Sequence, residues 1–322
     1  MPNRKIELML QYLASAFKGP AQARAAHRQA LLKNPRIATG IEALLTACPP
    51  SNVQDNEAPI FLLSAGWRSG STLMQRLIMS DKDVLIWGEP YDECGLIQSM
   101  AESVKAFRPD WPRPDYFYDG TPISQLSGNW IANLFPSPED LRKGHRALFD
   151  TLFVQPAKAA GAARWGIKEV RLGADHSAYL RWLYPKARFL FLYRNPLDAY
   201  RSYCGYGRNW YDVYPDKPVF TPTAFGSHWR NLMEGFMNDA EKLGALMVRY
   251  EDLITGQARL DEVESYLDVR IDRNILKLKV RNSDNHKTSP QVNSKQNDAS
   301  WLEEWLLKRA VSPLAEQLGY RL

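Results

Sequence analysis

The chain has 322 residues, is 45% hydrophobic, and contains 21 Pro, 19 Gly and three Cys. This composition is too apolar for a disordered chain, and the length suits one large α/β domain or two small ones. No apolar run approaches the ~20 residues of a membrane span, so we expect no transmembrane segment.

The net charge of +5 is unevenly distributed along the chain. Residues 1–40 hold seven basic residues and one acid, whereas the remaining 282 residues hold 34 basic and 35 acidic residues. The body of the protein is therefore nearly neutral, and we expect no nucleic-acid partner. The three cysteines are too few and too widely spaced to indicate a disulfide framework or a zinc site, which favours a cytoplasmic protein.

The N-terminal arm, residues 1–50, is predicted to be a basic helical extension. Apolar residues between Ile6 and Phe17 form a broad helix face, and the Ala- and Arg-rich residues 21–32 continue the helical pattern. Two prolines and the polar residues 51–57 then predict a linker, so the main domain is expected to span residues 58–322. The apolar face makes the arm a candidate for docking on this domain, on an anionic membrane surface, or on a second subunit in a homo-oligomer.

Short apolar runs alternate with helical segments in the main domain. Residues 59–63 have the pattern of a strand buried on both faces, and residues 71–79 follow with helical periodicity. The further predicted strands are residues 83–87, 165–168, 187–193 and 245–249. This alternation predicts an α/β fold with a mostly parallel central sheet flanked by helices. Near the C-terminus, helical spacing predicts a packed helix face formed by Trp301, Leu302, Trp305 and Leu306.

The turn after the first strand has the composition of an anion-binding loop. Small residues allow backbone N–H groups to converge at the start of the next helix, where the helix dipole favours negative charge. Hydroxyl donors and one permanent cation complete the set, which comprises Arg68, Ser69, Gly70, Ser71 and Thr72. The turn therefore predicts a phosphate or sulfate site, with an ordinary Gly-rich connection as the alternative.

The same turn lacks the residues of a triphosphate-binding Walker A loop. That loop needs a Lys directly after its last glycine, whereas Ser71 follows Gly70 here. The strand at residues 187–193 ends in Arg194 rather than in a magnesium-binding Asp. These differences favour an anion that carries its own leaving group and needs no metal. A kinase or another nucleotide-binding P-loop protein is the alternative from a different class.

A second candidate site begins where the strand at residues 187–193 ends. Arg194 lies at the carboxyl end of this strand, where open α/β sheets bind their ligands. Pro196 starts a helix that extends to about Tyr206 and places Ser202 about two turns in. Arg194 and Ser202 can therefore hold a second phosphate, while a local pair between Arg194 and Asp198 is the alternative.

Together, the two motifs resemble those of the PAPS-dependent sulfotransferase superfamily, where PAPS is 3′-phosphoadenosine 5′-phosphosulfate. Residues 68–72 look like its 5′-phosphosulfate loop, and the Arg194–Ser202 spacing looks like its 3′-phosphate motif. The segment 248–253 also resembles a strand and turn of this family. The likeness covers residues 58–255 and implies a P-loop-type fold, with bacterial and tyrosylprotein sulfotransferases as the most similar branch.

The resemblance also implies roles for three further residues. Glu89 stands where related enzymes carry their catalytic glutamate, and Lys168 matches a lysine that reaches the active centre of the family. Lys287, in a basic loop near the C-terminus, is the candidate for a late nucleotide contact. The alternatives are a helix-capping Glu89, a Lys168 paired with Glu169 or Glu89, and a solvated loop around Lys287.

The resemblance implies an enzyme that transfers a sulfuryl group from PAPS to a hydroxyl acceptor without a metal. Glu89 would deprotonate the acceptor, while Lys168 and Arg68 stabilise the leaving group. We expect the acceptor to be a sugar or a small natural product, and a peptide tyrosine is the alternative. An anion-binding protein with a degenerate site is a third, non-enzymatic hypothesis. Candidate walls of the acceptor site are Trp111, Tyr116, Phe117, Tyr118, Trp210, Tyr211 and Tyr214. The alternative is that these aromatic residues form the hydrophobic undersides of two loops.

Overall fold

A computed structural model describes residues 36–47, 57–91, 94–128, 130–204, 219, 221–278 and 299–322. The chain divides into two compact units, of which one contains residues 36–47 with residues 101–138. The other contains residues 57–100 and 139–322, apart from the gaps given above. Within the N-terminal arm the helix α1 (Ile37–Ala47) is described. The boundary expected near residue 50 stays a prediction.

The second unit is built on a sheet of five parallel strands. The strands are β1 (Ile60–Ser64), β2 (Val84–Gly88), β3 (Arg164–Glu169), β4 (Arg188–Tyr193) and β5 (Leu246–Arg249). Their order across the sheet is β2-β3-β1-β4-β5. Every pairing is parallel, which confirms the predicted fold class. At most of the strand ends, the observed bound differs from the predicted one by a single residue. Hydrophobic runs mark the centres of strands better than their ends.

The described helices alternate with the strands along the chain. They are α2 (Ser71–Ile78), α3 (Leu96–Ser103), α4 (Ile123–Leu126), α5 (Pro138–Phe149), α6 (Gln155–Ala159), α7 (Ala174–Leu183), α8 (Pro196–Cys204), α9 (Pro222–Asp239), α10 (Tyr250–Thr255), α11 (Gln257–Leu267) and α12 (Trp301–Gln317). No helix within the described ranges is both long and apolar enough to cross a membrane.

The core of the second unit lies on both faces of the central strands. All five residues of β1 are buried, as are the central residues of β4. On one face Leu62 and Leu190 pack with Met74 and Leu77 of α2. On the other face the ring of Phe61 lies against Trp165 and Phe189, with ring centroids 6.0 and 5.4 Å apart. Burial on both faces explains why these strands read as continuous apolar runs.

The sheet brings the carboxyl ends of its strands to one edge. Pairing places Gly88 of β2 beside Lys168 of β3, and Leu63 of β1 beside Glu169. Ser64 of β1 in turn pairs with Leu192 of β4. The segments that follow β1, β2, β3 and β4 therefore start side by side, at a strand spacing of about 4.8 Å.

The structure corrects the prediction for the aromatic residues of α12, and it describes part of the predicted acceptor-site walls. The packed face expected on α12 is wrong for Trp301, Leu302 and Trp305, because these side chains are exposed and the helix buries residues from Leu307 onward instead. In the first unit, Tyr116 and Phe117 pack against Phe135, with centroids 6.0 and 6.4 Å apart. Trp210, Tyr211 and Tyr214 lie outside the described residues.

Candidate active site

The loop after β1 has an unusual backbone at the residues predicted to bind an anion. Gly70 has φ of 88° and caps α2 without a side-chain hydrogen bond. Arg68 has φ of 63°, a left-handed conformation that costs a non-glycine residue about 1–2 kcal/mol. In the first turn of α2 the N–H of Leu73 donates to the oxygen of Gly70 over 3.0 Å, whereas the N–H groups at the first two positions have no preceding helix carbonyl to bond. The loop therefore presents backbone donors and the dipole of α2 at one point, as an anion site requires.

The predicted 3′-phosphate motif contacts this loop directly. Arg68 donates from Nε to Oγ of Ser202 over 3.0 Å. Arg194 donates from Nη1 to the backbone oxygen of Arg68, also over 3.0 Å. The structure thus brings Arg68 together with Arg194 and Ser202, which follow it by 126 and 134 positions in the sequence. The alternative pair between Arg194 and Asp198 is not formed, because Asp198 pairs with Arg201 at 3.2 Å.

Within the two motifs themselves, two polar side-chain atoms are buried without a partner among the described residues. They are Oγ of Ser69 and Nε of Arg194. Buried donors in native proteins are nearly always satisfied, and each one left open needs a reason. A hydroxyl and a guanidinium N–H beside a helix N-terminus suit phosphate or sulfate oxygens. The donor set therefore fits an anionic ligand.

Tyr250, the first residue of α10, packs between the two motifs. A Cβ atom added to Gly70 would lie 2.2 Å from Cδ2 of Tyr250, so only glycine fits against this ring. The guanidinium carbon of Arg194 lies 4.6 Å from the centroid of the same ring. Tyr250 therefore holds the loop backbone and the Arg194 side chain in a fixed relation.

The turn that carries Arg194 is held by three further hydrogen bonds. Trp229 of α9 donates from Nε1 to the backbone oxygen of Arg194 over 3.2 Å. The N–H of Asn195 donates to Oε1 of Glu251 over 2.9 Å. The Asn195 side chain caps α8 by accepting from the N–H of Leu197 at 2.9 Å. These bonds fix the backbone of Arg194 from both sides.

His228, also on α9, lies behind the loop. Its ring lies against Trp67, with centroids 4.9 Å apart, and its Cδ2 atom is 3.4 Å from the position of a Cβ on Gly66. Burial lowers the pKa of His228 to about 4, so the imidazole is neutral near pH 7. His228 therefore packs against the anion loop as an uncharged ring.

Glu89 and Lys168 form a second group at the same edge of the sheet. Glu89 follows β2 directly, has φ of 30°, and donates its N–H to the backbone oxygen of Lys168 over 2.8 Å. Its Oε1 contacts Nζ of Lys168. The Lys168 side chain is 7% exposed and that of Glu89 is 27% exposed. The pairing of Lys168 with Glu89, one of the alternatives, is thus the one that the structure contains.

Backbone strain coincides with the predicted catalytic residues. Only four described non-glycine residues have a positive φ, and Arg68 and Glu89 are two of them. Such conformations cost about 1–3 kcal/mol each and cluster at functional sites. The other two are Tyr91 and Asp268, so the strain agrees with the predicted roles of Arg68 and Glu89 without being confined to them.

Glu169 and Arg171 lie beside Glu89, and sequence reasoning did not assign them a role. Arg171 forms a bidentate pair with Glu169, and its Nη2 lies 3.8 Å from Oε2 of Glu89. Burial raises the pKa of Glu169, and the hydrogen bonds from Arg171 lower it in part. Glu169 is the last residue of β3 and Arg171 follows it closely, and this place at a strand end is the signal that could have indicated both residues.

The remaining predicted site residues differ in their surroundings. Ser71 is buried at the start of α2, whereas Thr72 is exposed. Lys287 lies outside the described residues. Within the described part of the chain, no group of His, Cys, Asp or Glu side chains is arranged to hold a metal ion.

A family model described as "Sulfotransferase family" matches residues 59–272. The chain belongs to the sulfotransferase family. The matched range starts before β1 and ends after α11, so it contains every strand of the sheet and both candidate groups. As a member of this family, the protein is an enzyme that transfers sulfate.

Solved sulfotransferase structures are similar to this chain. One is the sulfotransferase domain of the Synechococcus PCC 7002 olefin synthase, at 17% identity and a TM-score of 0.46, covering 84% of this chain and 98% of that one. Another is the sulfotransferase domain from the curacin biosynthetic pathway, at 15% identity and a TM-score of 0.45, with 84% and 100% covered. A third is sulfotransferase STF9 from Mycobacterium avium, at 14% identity and a TM-score of 0.37, with 89% and 82% covered. No curated protein matches the chain.

Proposed function

We propose that this sulfotransferase uses PAPS as its sulfuryl donor and a hydroxyl group as its acceptor. The observation that carries the proposal is the junction of Arg68, Arg194 and Ser202, which joins the loop after β1 to the start of α8. The buried, unpartnered Nε of Arg194 and Oγ of Ser69 support a ligand with more than one anionic group. PAPS carries a 5′-phosphosulfate and a 3′-phosphate. Transfer of its sulfuryl group releases the bisphosphate 3′-phosphoadenosine 5′-phosphate.

The two anionic groups would bind at neighbouring positions of the sheet edge. The loop 65–70 and the N-terminus of α2 suit the 5′-phosphosulfate, because they offer N–H groups and the guanidinium of Arg68. Arg194 and Ser202 suit the 3′-phosphate, since they follow the adjacent strand β4. A nucleotide without a 3′-phosphate would leave the buried Nε of Arg194 unpaired, which weakens its binding.

We propose Glu89 as the base that removes the proton of the acceptor hydroxyl. It follows β2, two strand positions from β1, and its carboxylate is partly exposed. It can therefore reach an acceptor that approaches the anion loop from the side opposite to Arg194. A positioned base of this kind contributes about 10²- to 10⁴-fold to the rate.

Lys168 and Arg68 would stabilise the charge that develops on the leaving group. Lys168 is the penultimate residue of β3, and β3 lies between β2 and β1, so Lys168 is on the strand between the base and the anion loop. Fixed cations at this place supply the electrostatic stabilisation that oxygens of the leaving group need. The strained backbone of Arg68 holds its side chain toward α8 rather than toward solvent.

Ligand-induced changes in thermal stability test the donor assignment. The protein should be stabilised by 3′-phosphoadenosine 5′-phosphate in the absence of magnesium, because ligands that bind the native state raise its melting temperature. ADP should give a smaller shift at the same concentration, since it lacks the 3′-phosphate. Stabilisation by magnesium-ATP without stabilisation by the bisphosphate would contradict the proposal and favour a phosphoryl-transferring enzyme.

A further inference from the structure

Glu89 is contacted by the end of β3 and by the turn that follows it. Its backbone N–H donates to the oxygen of Lys168, its Oε1 contacts Nζ of Lys168, and its Oε2 faces Nη2 of Arg171 at 3.8 Å. One carboxylate thus has a different cation beside each of its oxygens. The two cations differ in how firmly they are themselves held.

Arg171 is fixed in place by a buried carboxylate. Its Nε donates to Oε1 of Glu169 over 2.9 Å, and its Nη2 donates to Oε2 over 3.2 Å. The N–H of Val170 donates to Oε1 of Glu169 as well, over 2.8 Å. The side chains of Arg171 and Glu169 are only 1% and 2% exposed. A bidentate pair with this burial fixes the plane of the guanidinium group.

Lys168 has a conflict between its contact and its proposed role. A lysine paired with Glu89 has its charge partly neutralised, so it stabilises the leaving group of the donor less well than an unpaired lysine does. Its flexible stem and single charged group allow it to change partners, whereas a bidentate guanidinium cannot do so without breaking two hydrogen bonds. The two cations beside Glu89 are therefore not equivalent.

We propose that Arg171 is a positioning residue that keeps the Glu89 carboxylate in place when Lys168 turns to the bound donor. Glu169 acts through Arg171 by fixing its guanidinium plane. The ion pair between Lys168 and Glu89 is then the resting arrangement, and the pair between Arg171 and Glu89 is the one that persists during turnover. This proposal rests on the role of Glu89 as the base.

Crystal structures of the complex with 3′-phosphoadenosine 5′-phosphate test the partner exchange without an acceptor. In the wild type, Nζ of Lys168 should leave Glu89 and lie within about 4 Å of a phosphate oxygen, while Arg171 stays beside Glu89. In the complex of Arg171→Met, the Glu89 carboxylate should turn away from its wild-type position. A carboxylate that follows Lys168 in the wild type, or that stays in place without Arg171, would overturn the proposal.

Arg171→Met leaves the charge of Glu169 buried and uncompensated, which destabilises a fold strongly. The double variant Glu169→Gln/Arg171→Met removes both charges and provides the second protein for the same measurement. Arg142→Met is the matched control, because Arg142 is also a largely buried arginine, with hydrogen bonds to the backbone oxygens of Trp182 and Leu183 at 2.8 and 2.9 Å. The control should keep the wild-type geometry of Glu89.

Kinetics distinguish failure of this proposal from failure of the proposed function. The probes are PAPS as donor with 4-nitrophenol, glucose and 1-octanol as acceptors. Arg171→Met and the double variant should lower kcat on the order of 10-fold to 100-fold with an unchanged Kd for the bisphosphate, and Arg171→Lys should recover part of the rate. Combining Arg171→Met with Glu89→Gln should lower kcat no further than Glu89→Gln does alone.

An inactive Glu89→Gln together with a fully active Arg171→Met overturns only the role of Arg171. A fully active Glu89→Gln overturns the role of Glu89 as the base.

Discussion

Replacing Gly70 by alanine tests the packing of Tyr250 against the anion loop. The φ of 88° imposes a left-handed conformation that costs alanine about 1–2 kcal/mol. The new Cβ would lie 2.2 and 2.3 Å from two carbons of the Tyr250 ring, and overpacking of this kind costs about 1–3 kcal/mol more. Gly70→Ala should therefore lower the free energy of unfolding by roughly 2–5 kcal/mol.

Gly161→Ala separates the two contributions. Gly161 has φ of 87°, but no atom lies within 4 Å of a Cβ added there. This control should lose only the backbone cost of about 1–2 kcal/mol in urea unfolding. In a Tyr250→Ala background, Gly70→Ala should cost as little as Gly161→Ala does in the wild type. Bisphosphate titration should show weaker binding for Gly70→Ala and normal binding for Gly161→Ala. Equal unfolding costs of the two alanine variants in the wild-type background would refute the packing argument.

Three further changes have expected outcomes of their own. Arg194→Ala should weaken bisphosphate binding by about 1.5–3 kcal/mol in calorimetric titration, because charged hydrogen bonds are lost; unchanged affinity would remove Arg194 from the site. In urea unfolding, Arg68→Gly should have a free energy of unfolding about 1 kcal/mol higher than that of Arg68→Ala, since only the glycine relieves the positive φ of 63°. Equal stability of the two variants would mean that the position is unstrained. His228 has a folded pKa near 4 against 6.5 for the free side chain, so protonation of the unfolded chain removes about 3 kcal/mol of stability as the pH falls from 6.5 to 4. His228→Phe should unfold with a correspondingly weaker dependence on pH over this range, and an identical dependence would contradict the buried, neutral imidazole.

The sheet and the two anion motifs could be predicted because their signals are local. Continuous apolar runs marked β1 and β4, and the turns after them begin where these strands end. Parallel strands place such turns at one edge, so the meeting of Arg68 with Arg194 and Ser202 follows from the topology. Strand register also decided the partner of Lys168, since Gly88 pairs with Lys168 and brings Glu89 next to it.

Contacts made by later helices could not be predicted in the same way. Trp229 and His228 reach the site because α9 crosses behind the loop, and no spacing in the sequence encodes that crossing. The pairing of Arg171 with Glu169 depends on a bend directly after β3. The exposure of Trp301 depends on which side of α12 packs on the rest of the unit, and helical periodicity predicted a side that the structure leaves largely exposed.

Transfer of label from PAPS tests the central claim most directly. The donor carries ³⁵S in its sulfuryl group, and the acceptors are sugars, phenols, aliphatic alcohols and a tyrosine peptide, all without magnesium. The wild type should move the label to a hydroxyl group and release one bisphosphate for each product formed. Glu89→Gln should keep the wild-type bisphosphate affinity and lose about 10²- to 10⁴-fold in rate. Undiminished transfer by Glu89→Gln would contradict the account. Label that stays on the donor with every acceptor, while a parallel reaction with magnesium-ATP consumes the nucleotide, would contradict it as well.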